Sequence, residues 1–405
     1  MSWQSEPLSA LTLKIGSGST PRGGDSVYIS EGTTLIRSQN VYNNEFSTDG
    51  LVYIDEKTAE KMKGVSVEKE DVLVNITGDS VARCCLVHDA VLPARVNQHV
   101  AILRTNPKKL LPHFLAFYMV SPFMQAKMLS WAGTGGTRKA LTKGMLEGFE
   151  IPLPPVDVQD KIVQKIRTYN DLIENNRRRI QLLEESARLL YQEWFVHLRF
   201  PGHEKVKITD GVPEGWEQSS IGEASSYLNR GITPKYSDDG EYVVINQKCI
   251  RNRVLSLELA RRQSKEYKEE KAVRLGDILI NSTGTGTLGR VAQVWEECEK
   301  TSVDTHVTIV RPATDIPYLW LGYCLLGMER RLEDMGEGAT NQKELKRQYV
   351  ADISILKPSN SLMEMFHNTV LDNTKQIQNL IKANKSLAQA RDLLLPKLMS
   401  GELTV

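Results

Sequence analysis

The sequence predicts an α+β chain of two homologous globular domains, each followed by a long α-helix. Three observations carry this. First, the chain repeats itself: Asp71-Val-Leu-Val-Asn75-Ile-Thr77-Gly78 returns about 206 positions later as Asp277-Ile-Leu-Ile-Asn281-Ser-Thr283-Gly284. Gly18-Ser-Thr20-Pro21 returns as Gly231-Ile-Thr233-Pro234, and Val96-Asn97-Gln-His99-Val100 as Val303-Asp304-Thr-His306-Val307. Second, short β-rich segments bounded by glycine precede an apolar helical pattern in each half. Third, each half ends in a long heptad-like stretch.

In order, Leu35–Gln39 and Val243–Gln247 read as strands running into polar loops, and 71–75 and 277–281 as β-branched, leucine-rich strands closed by Thr-Gly. Residues 111–130 and 316–334 read as helices, each begun by proline in its first turn. A Gly/Thr loop comes next, Gly133–Thr137 or Gly336–Thr340. An apolar strand starting at Ile151 or Ile353 then closes the domain. From Val156 to Trp194 there is neither glycine nor proline. The predicted seam runs through Ile166, Ile173, Asn176, Ile180, Leu183 and Leu190. Its counterpart runs through Val370, Ile377, Leu380, Leu387 and Leu394. Polar seam residues cost stability but fix register. A helix of this length extends roughly 57 Å at 1.5 Å per residue. The two are expected to pair antiparallel as a coiled-coil spacer about a pseudo-twofold axis, although ordinary amphipathic core helices fit the same pattern. The expected division is domain one at 1–155, a central helical spacer at 156–199, a linker at 200–216, domain two at 217–359 and a second helical spacer at 360–405.

Bulk properties set limits. The 405 residues suffice for two domains and connectors. A net charge of +1 gives no overall basic field, so any nucleic-acid contact must come from local patches. The five cysteines show no zinc spacing and suit reduced thiols in a cytoplasmic protein. Neither a signal peptide nor a membrane-spanning apolar run is read, so no membrane partner is expected.

The search for an active site returns one motif. Gly284-Thr-Gly286-Thr-Leu-Gly289 fits the dinucleotide-binding glycine pattern, with Asp304 about 20 residues on. The next segment, Arg290–Trp295, alternates like a strand, and the first half lacks the later glycines. A glycine-rich hairpin or exposed loop is therefore expected there. His99 and His306 recur without metal-ligand partners. They are read first as structural residues at a strand start, with a polar contact to DNA as the alternative. The chain is expected to catalyse nothing by itself and to hold no metal or cofactor.

What remains is a set of polar loops at matching positions. The DNA-contact candidates of the first half are Thr20, Arg22, Arg37, Ser38, Gln39, Asn75, Thr77, Asn97, Thr137, Arg138 and Lys139. Those of the second are Thr233, Lys235, Asn246, Gln247, Lys248, Asn281, Thr283, Thr285, Thr340, Asn341 and Lys343. Arginine and lysine suit guanine edges, asparagine and glutamine suit adenine, and hydroxyls and glycine amides suit phosphate. Ordinary hydrophilic turns have the same composition; recurrence in both halves favours the DNA reading. Arg177-Arg178-Arg179 suits a phosphate backbone, a solvated face or a partner-docking patch.

The chain resembles the DNA specificity subunits of Type I restriction–modification systems. The resemblance rests on the duplication, a helix after each half, Trp194-Phe195 leading to Phe200-Pro-Gly-His203, Pro213-Glu-Gly-Trp216, and Leu394-Leu-Pro396-Lys-Leu-Met-Ser400-Gly401. It implies two target-recognition domains that each read half of a bipartite double-stranded DNA site, with the helices as a ruler for the gap. It also implies two methyltransferase subunits and two restriction and motor subunits as partners, which carry S-adenosylmethionine, ATP and Mg. The competing readings are a coiled-coil adaptor that does not bind DNA and a dinucleotide enzyme built on Gly284–Gly289.

Overall fold

A computed structural model describes residues 3–133, 139–338 and 343–403. It is a mixed α/β structure with two long helices, Val156–Tyr191 and Asn360–Ser400. The chain divides into two compact units, Met1–Asn175 with Ala383–Val405, and Asn176–Lys382.

In the first unit an antiparallel sheet runs in the order Thr12–Ser17, Val100–Thr105, Val72–Asn75, Cys84–Leu86. A second sheet runs Val52–Ile54, Thr33–Ile36, Ala94–Val96, Ser66–Val67, with the middle pair parallel. The apolar run 72–75 does not alternate because both of its faces are covered. Val72 and Val74 join Phe114, Met128, Phe149 and Ile166 in one core, while Leu73 faces Ile36, Cys85, Val96 and Ile102 in another. Leu395, Leu398 and Met399 of the second long helix complete the first of these cores. Within this unit Asn384 Nδ2 donates to Ile173 O at 3.4 Å and Arg391 Nη1 to Asn170 Oδ1 at 2.9 Å.

The second unit repeats the plan. Its antiparallel sheet runs Ser225–Arg230, Val307–Pro312, Ile278–Asn281, Val291–Gln293. Its smaller sheet runs Arg261–Gln263, Tyr242–Ile245, Thr301–Val303, with the last two parallel. Ile278 and Ile280 pack with Trp320, Phe366 and Val370, whereas Leu279 packs with Ile245, Cys249 and Val303. Phe366 is the aromatic hub, with ring centroids 5.2 Å from Phe195, 5.7 Å from Tyr191 and 5.8 Å from Tyr323.

Each unit also carries the same buried ion pair. Arg104 grips Asp71 with two hydrogen bonds of 2.8 Å, and Arg311 grips Asp277 identically. Both carboxylates are fully buried and accept a backbone N–H as well, from Glu68 or Arg274. This explains why aspartate opens the repeated strand motif.

Three expectations need correction. The helix expected at 111–130 is two, Pro112–Met119 and Pro122–Ala132. Ser121 caps the second, accepting from Met124 N, and the residue before a proline is driven out of helical geometry. The helix expected at 316–334 is likewise divided, into Tyr318–Leu326 and Glu329–Asp334, and Pro317 is its cap rather than its first residue. The first long helix changes to a π-helical turn at Gln192–Val196, short of Trp194. Within the expected linker at 200–216, Ile208–Thr209 pairs with Val212–Pro213, and Phe200 and Trp216 are buried with Leu362.

All eleven predicted seam residues are buried or half-buried, among them Ile166, Ile173, Val370, Ile377 and Leu380 in the buried class. Ile162, Val163 and Thr374, which the seam did not include, are buried as well. Four cysteines are buried and Cys298 is half-buried; none forms a disulfide. Burial pushes the Cys85 thiol up to about 12, which keeps it protonated and unreactive. Among the described residues, no helix is long and apolar enough to cross a membrane.

Candidate nucleic-acid interface

In each unit, hydrogen bonds at one end of the sheets stitch several loops together. In the first unit Ser19 N donates to Val96 O, Asn97 N to Ile36 O, Ile76 N to His99 O, Gly78 N to Lys139 O and Leu141 N to Ile76 O. The loops that begin near Gly18, Arg37, Thr77 and His99, and the segment at Lys139, thus meet at one place. In the second unit Ile232 N donates to Val303 O, Asp304 N to Ile245 O, Ser282 N to His306 O and Leu345 N to Ser282 O. The same four loops and the segment before Leu345 come together again.

Gly18 and Gly231 explain how the backbones approach so closely. A Cβ on Gly18 would lie 2.0 Å from Val96 O, and one on Gly231 would lie 1.8 Å from Val303 O. No side chain fits either place.

The candidates sort by exposure. Thr20, Arg22, Gln39, Lys139, Thr233, Lys235, Lys248, Thr285 and Lys343 are exposed. Arg37, Ser38, Thr77, Asn246, Gln247 and Thr283 are half-buried. Asn75, Asn97 and Asn281 are buried and hold the loops from beneath. Asn75 Nδ2 donates to Ser38 O at 2.8 Å, Asn281 Nδ2 to Gln247 O at 3.0 Å, and Asn97 Oδ1 accepts from His99 N at 3.1 Å. The sequence places these three among the DNA contacts; in the fold their side chains are buried and bonded to the loop backbone. Thr137, Arg138, Thr340 and Asn341 lie outside the described residues.

Several half-buried candidates are also partly committed. Arg37 Nη2 donates to Gly50 O at 2.6 Å and its guanidinium lies 5.6 Å from the Tyr28 ring centre. Asn246 Nδ2 donates to Leu259 O, and its Oδ1 accepts from Lys248 N. Asn75 Oδ1, Asn281 Oδ1, Gln247 Oε1 and Arg37 Nε are buried without a hydrogen-bond partner among the described residues. Two cation–π pairs have no counterpart in the sequence reading: Arg261 over Tyr236 at 3.6 Å and Arg83 over Tyr42 at 4.7 Å. Arginine and tyrosine so far apart along the chain leave no sequence pattern that predicts such a stack.

Two further side chains recur. Thr77 Oγ1 lies 2.6 Å from His99 Nδ1, and Thr283 Oγ1 lies 2.7 Å from His306 Nδ1. The repeat displays both residues of each pair, but spacing alone does not reveal that they touch. Behind His306, burial pushes the Asp304 carboxyl above the usual range, against the opposing pull of a hydrogen bond from His306 N.

The glycine loop opens no helix. Val291–Gln293 is a strand, and a Cβ on Gly289 would lie 2.5 Å from Glu333 N, so that glycine serves packing against the helix Glu329–Asp334. Among the described residues no group of three His, Cys, Asp or Glu side chains is placed to hold a metal.

A doubled fold whose matching loops gather into one polar surface per unit defines a class of two-module recognition proteins. Residues 15–185 match the family model of the Type I restriction modification DNA specificity domain. The chain is 26% identical to the Type I restriction enzyme MjaIX specificity subunit of Methanocaldococcus jannaschii, covering 71% of this chain and 68% of that one. It is 23% identical to the Type I restriction enzyme HindI specificity subunit of Haemophilus influenzae, covering 91% and 94%. The fold is similar to that of the Type I restriction–modification S subunit from M. genitalium, with a TM-score of 0.57 at 16% identity over 98% of this chain and 96% of that one. Residues 15–185 thus resemble the DNA specificity domain of Type I systems, and the chain is similar along most of its length to Type I specificity subunits.

Proposed function

We propose that the chain is the non-catalytic, DNA-reading subunit of a Type I restriction–modification assembly. Each unit presents its loop surface to one half of a bipartite site in double-stranded DNA. The observation that carries this reading is the duplication of the stitched loops, with exposed Arg22 and Lys139 in one unit and Lys235, Lys248 and Lys343 in the other. With a net charge of only +1, such local cations must supply the attraction to phosphate.

The two long helices act as an antiparallel spacer that fixes the gap between the half-sites. In support, residue numbers on the two helices run in opposite senses within the first unit, where Asn170 meets Arg391 and Ile173 meets Asn384; in the second unit Tyr191 meets Phe366. Two methyltransferase subunits and two restriction and motor subunits bring S-adenosylmethionine, ATP, Mg and the chemistry, in the cytoplasm.

A domain exchange tests the proposal. Replacing residues 1–155 with the matching segment of another family member should change one half of the methylated site and leave the other half and the gap intact. A change in both halves, or in neither, contradicts one reader per half-site. Binding should also weaken steeply with salt, as phosphate contacts require.

A further inference from the structure

The histidine of the repeated Thr–His pair has no structural duty that its ring is needed to perform. The backbone of His99 carries the local bonds: its carbonyl accepts from Ile76 N and its N–H donates to Asn97 Oδ1. The backbone of His306 does the same with Ser282 N and Asp304 Oδ1. Any residue can make those bonds. The ring is not core either, since His99 is half-buried and His306 is exposed. Yet in both units a threonine from the neighbouring loop holds Nδ1, at 2.6 and 2.7 Å, so that Nε2 is the ring edge turned away from the threonine; in His99 that edge is shared with the Gln98 amide.

We infer that His99 and His306 are equivalent base-contacting side chains, one per unit, each oriented by its threonine so that Nε2 meets a base edge of its half-site. This rests on the DNA-reading function proposed above. The chemistry fits. A neutral imidazole presents one donor and one acceptor, and a hydroxyl complements either form of Nδ1. Nε2 is therefore able to accept from an adenine or cytosine amino group, or to donate to guanine or thymine oxygen. The companion beside Nε2 differs between the units. Gln98 Nε2 lies 3.3 Å from His99 Nε2, whereas Thr305 occupies the matching position in the second unit. One oriented ring with two different neighbours suits two modules that read different half-sites. Thr77 and Thr283 are positioning residues in this scheme.

The test uses the complex assembled with its methyltransferase subunits. Affinity is measured for the methylated motif and for every single base-pair variant of it, for wild type, His99→Ala, His306→Ala and Thr77→Val, with a thermal melt of each. His99→Ala should weaken binding by about 5- to 100-fold and abolish discrimination at one position of one half-site. His306→Ala should do the same in the other half-site, Thr77→Val should repeat the His99→Ala pattern more weakly, and all melts should match wild type. Unchanged discrimination in both histidine variants overturns the inference. So does a uniform loss across all DNA variants, which signifies a backbone contact, or a loss that accompanies a lowered melt, which signifies a structural role. A wild-type complex with no two-part motif brings down the DNA-reading function, and this inference with it; a selective wild type with unaltered variants overturns the inference alone.

Discussion

Substituting Gly231 by alanine puts a methyl group where there is no room for one. The added Cβ lies 1.8 Å from Val303 O and 2.6 Å from Asp304 O, against an ordinary contact of at least 3.4 Å. The two backbones must part by about 1.6 Å to restore that contact, an overpacking that costs about 1–3 kcal/mol. The hydrogen bonds Ile232 N to Val303 O and Gly231 N to Val307 O are stretched as well, each worth about 1 kcal/mol. A total of about 3–5 kcal/mol lies below most native stabilities, which run to about 5–15 kcal/mol, so the domain is expected to stay folded. Thr233, Lys235 and the turn bearing His306 must all move, because the same strand end holds them. The expected outcome is a folded protein with relaxed recognition in only the half-site read by the second unit. Urea denaturation gives the stability change, and methylation of substrates altered in each half gives the recognition change. Gly18→Ala is the mirror experiment, with its Cβ 2.0 Å from Val96 O. Wild-type stability together with wild-type discrimination in Gly231→Ala refutes the close stitching of these loops. Equal relaxation of both half-sites refutes the assignment of one unit to each.

Three further outcomes are expected. Asp277→Ala leaves the Arg311 guanidinium without its buried carboxylate and should cost about 3–5 kcal/mol in urea denaturation, as should Asp71→Ala; a loss below about 1 kcal/mol contradicts the buried-pair argument. Phe366→Ala removes the ring that joins Phe195, Tyr191 and Tyr323 and should cost about 3–5 kcal/mol. Hydrogen exchange should show the loss in the second unit; unchanged protection there contradicts it. Burial raises the Glu184 carboxyl above its ordinary range, against a smaller opposing effect of Arg253. A raised folded pKa means that the stability tied to this group is fully present below the unfolded pKa and is lost as pH rises through the folded one. Glu184→Gln should therefore melt higher than wild type near pH 7 and lose that advantage toward pH 4. An advantage that grows on acidification contradicts the sign.

The repeat made the architecture legible because it carried physical constraints rather than mere likeness. Asp71 and Asp277 recur because each anchors an arginine, Gly18 and Gly231 because no Cβ fits, and the apolar runs after each aspartate because both sheet faces are covered. The heptad positions fall on buried or half-buried residues because burial along one face of a helix follows directly from spacing. The helix breaks at Ser121-Pro122 and Gly327-Met328 were equally visible as residues, but continuous apolar periodicity outweighed them. Site residues were harder to read. Asn75 and Gln39 are both polar loop-end residues in the sequence, yet one lies beneath the loops and the other upon them. That difference depends on where neighbouring backbones pass, which residue type does not encode. The two Thr–His contacts span 22 and 23 residues and exist only once the sheet has formed.

Base-resolution methylation mapping is the most direct test of the central claim. A host expressing this chain with its methyltransferase subunit is compared with the same host lacking only this chain. The account predicts a two-part motif with a fixed gap that disappears when the chain is absent. Methylation that persists without the chain, or a continuous motif with no gap, contradicts it.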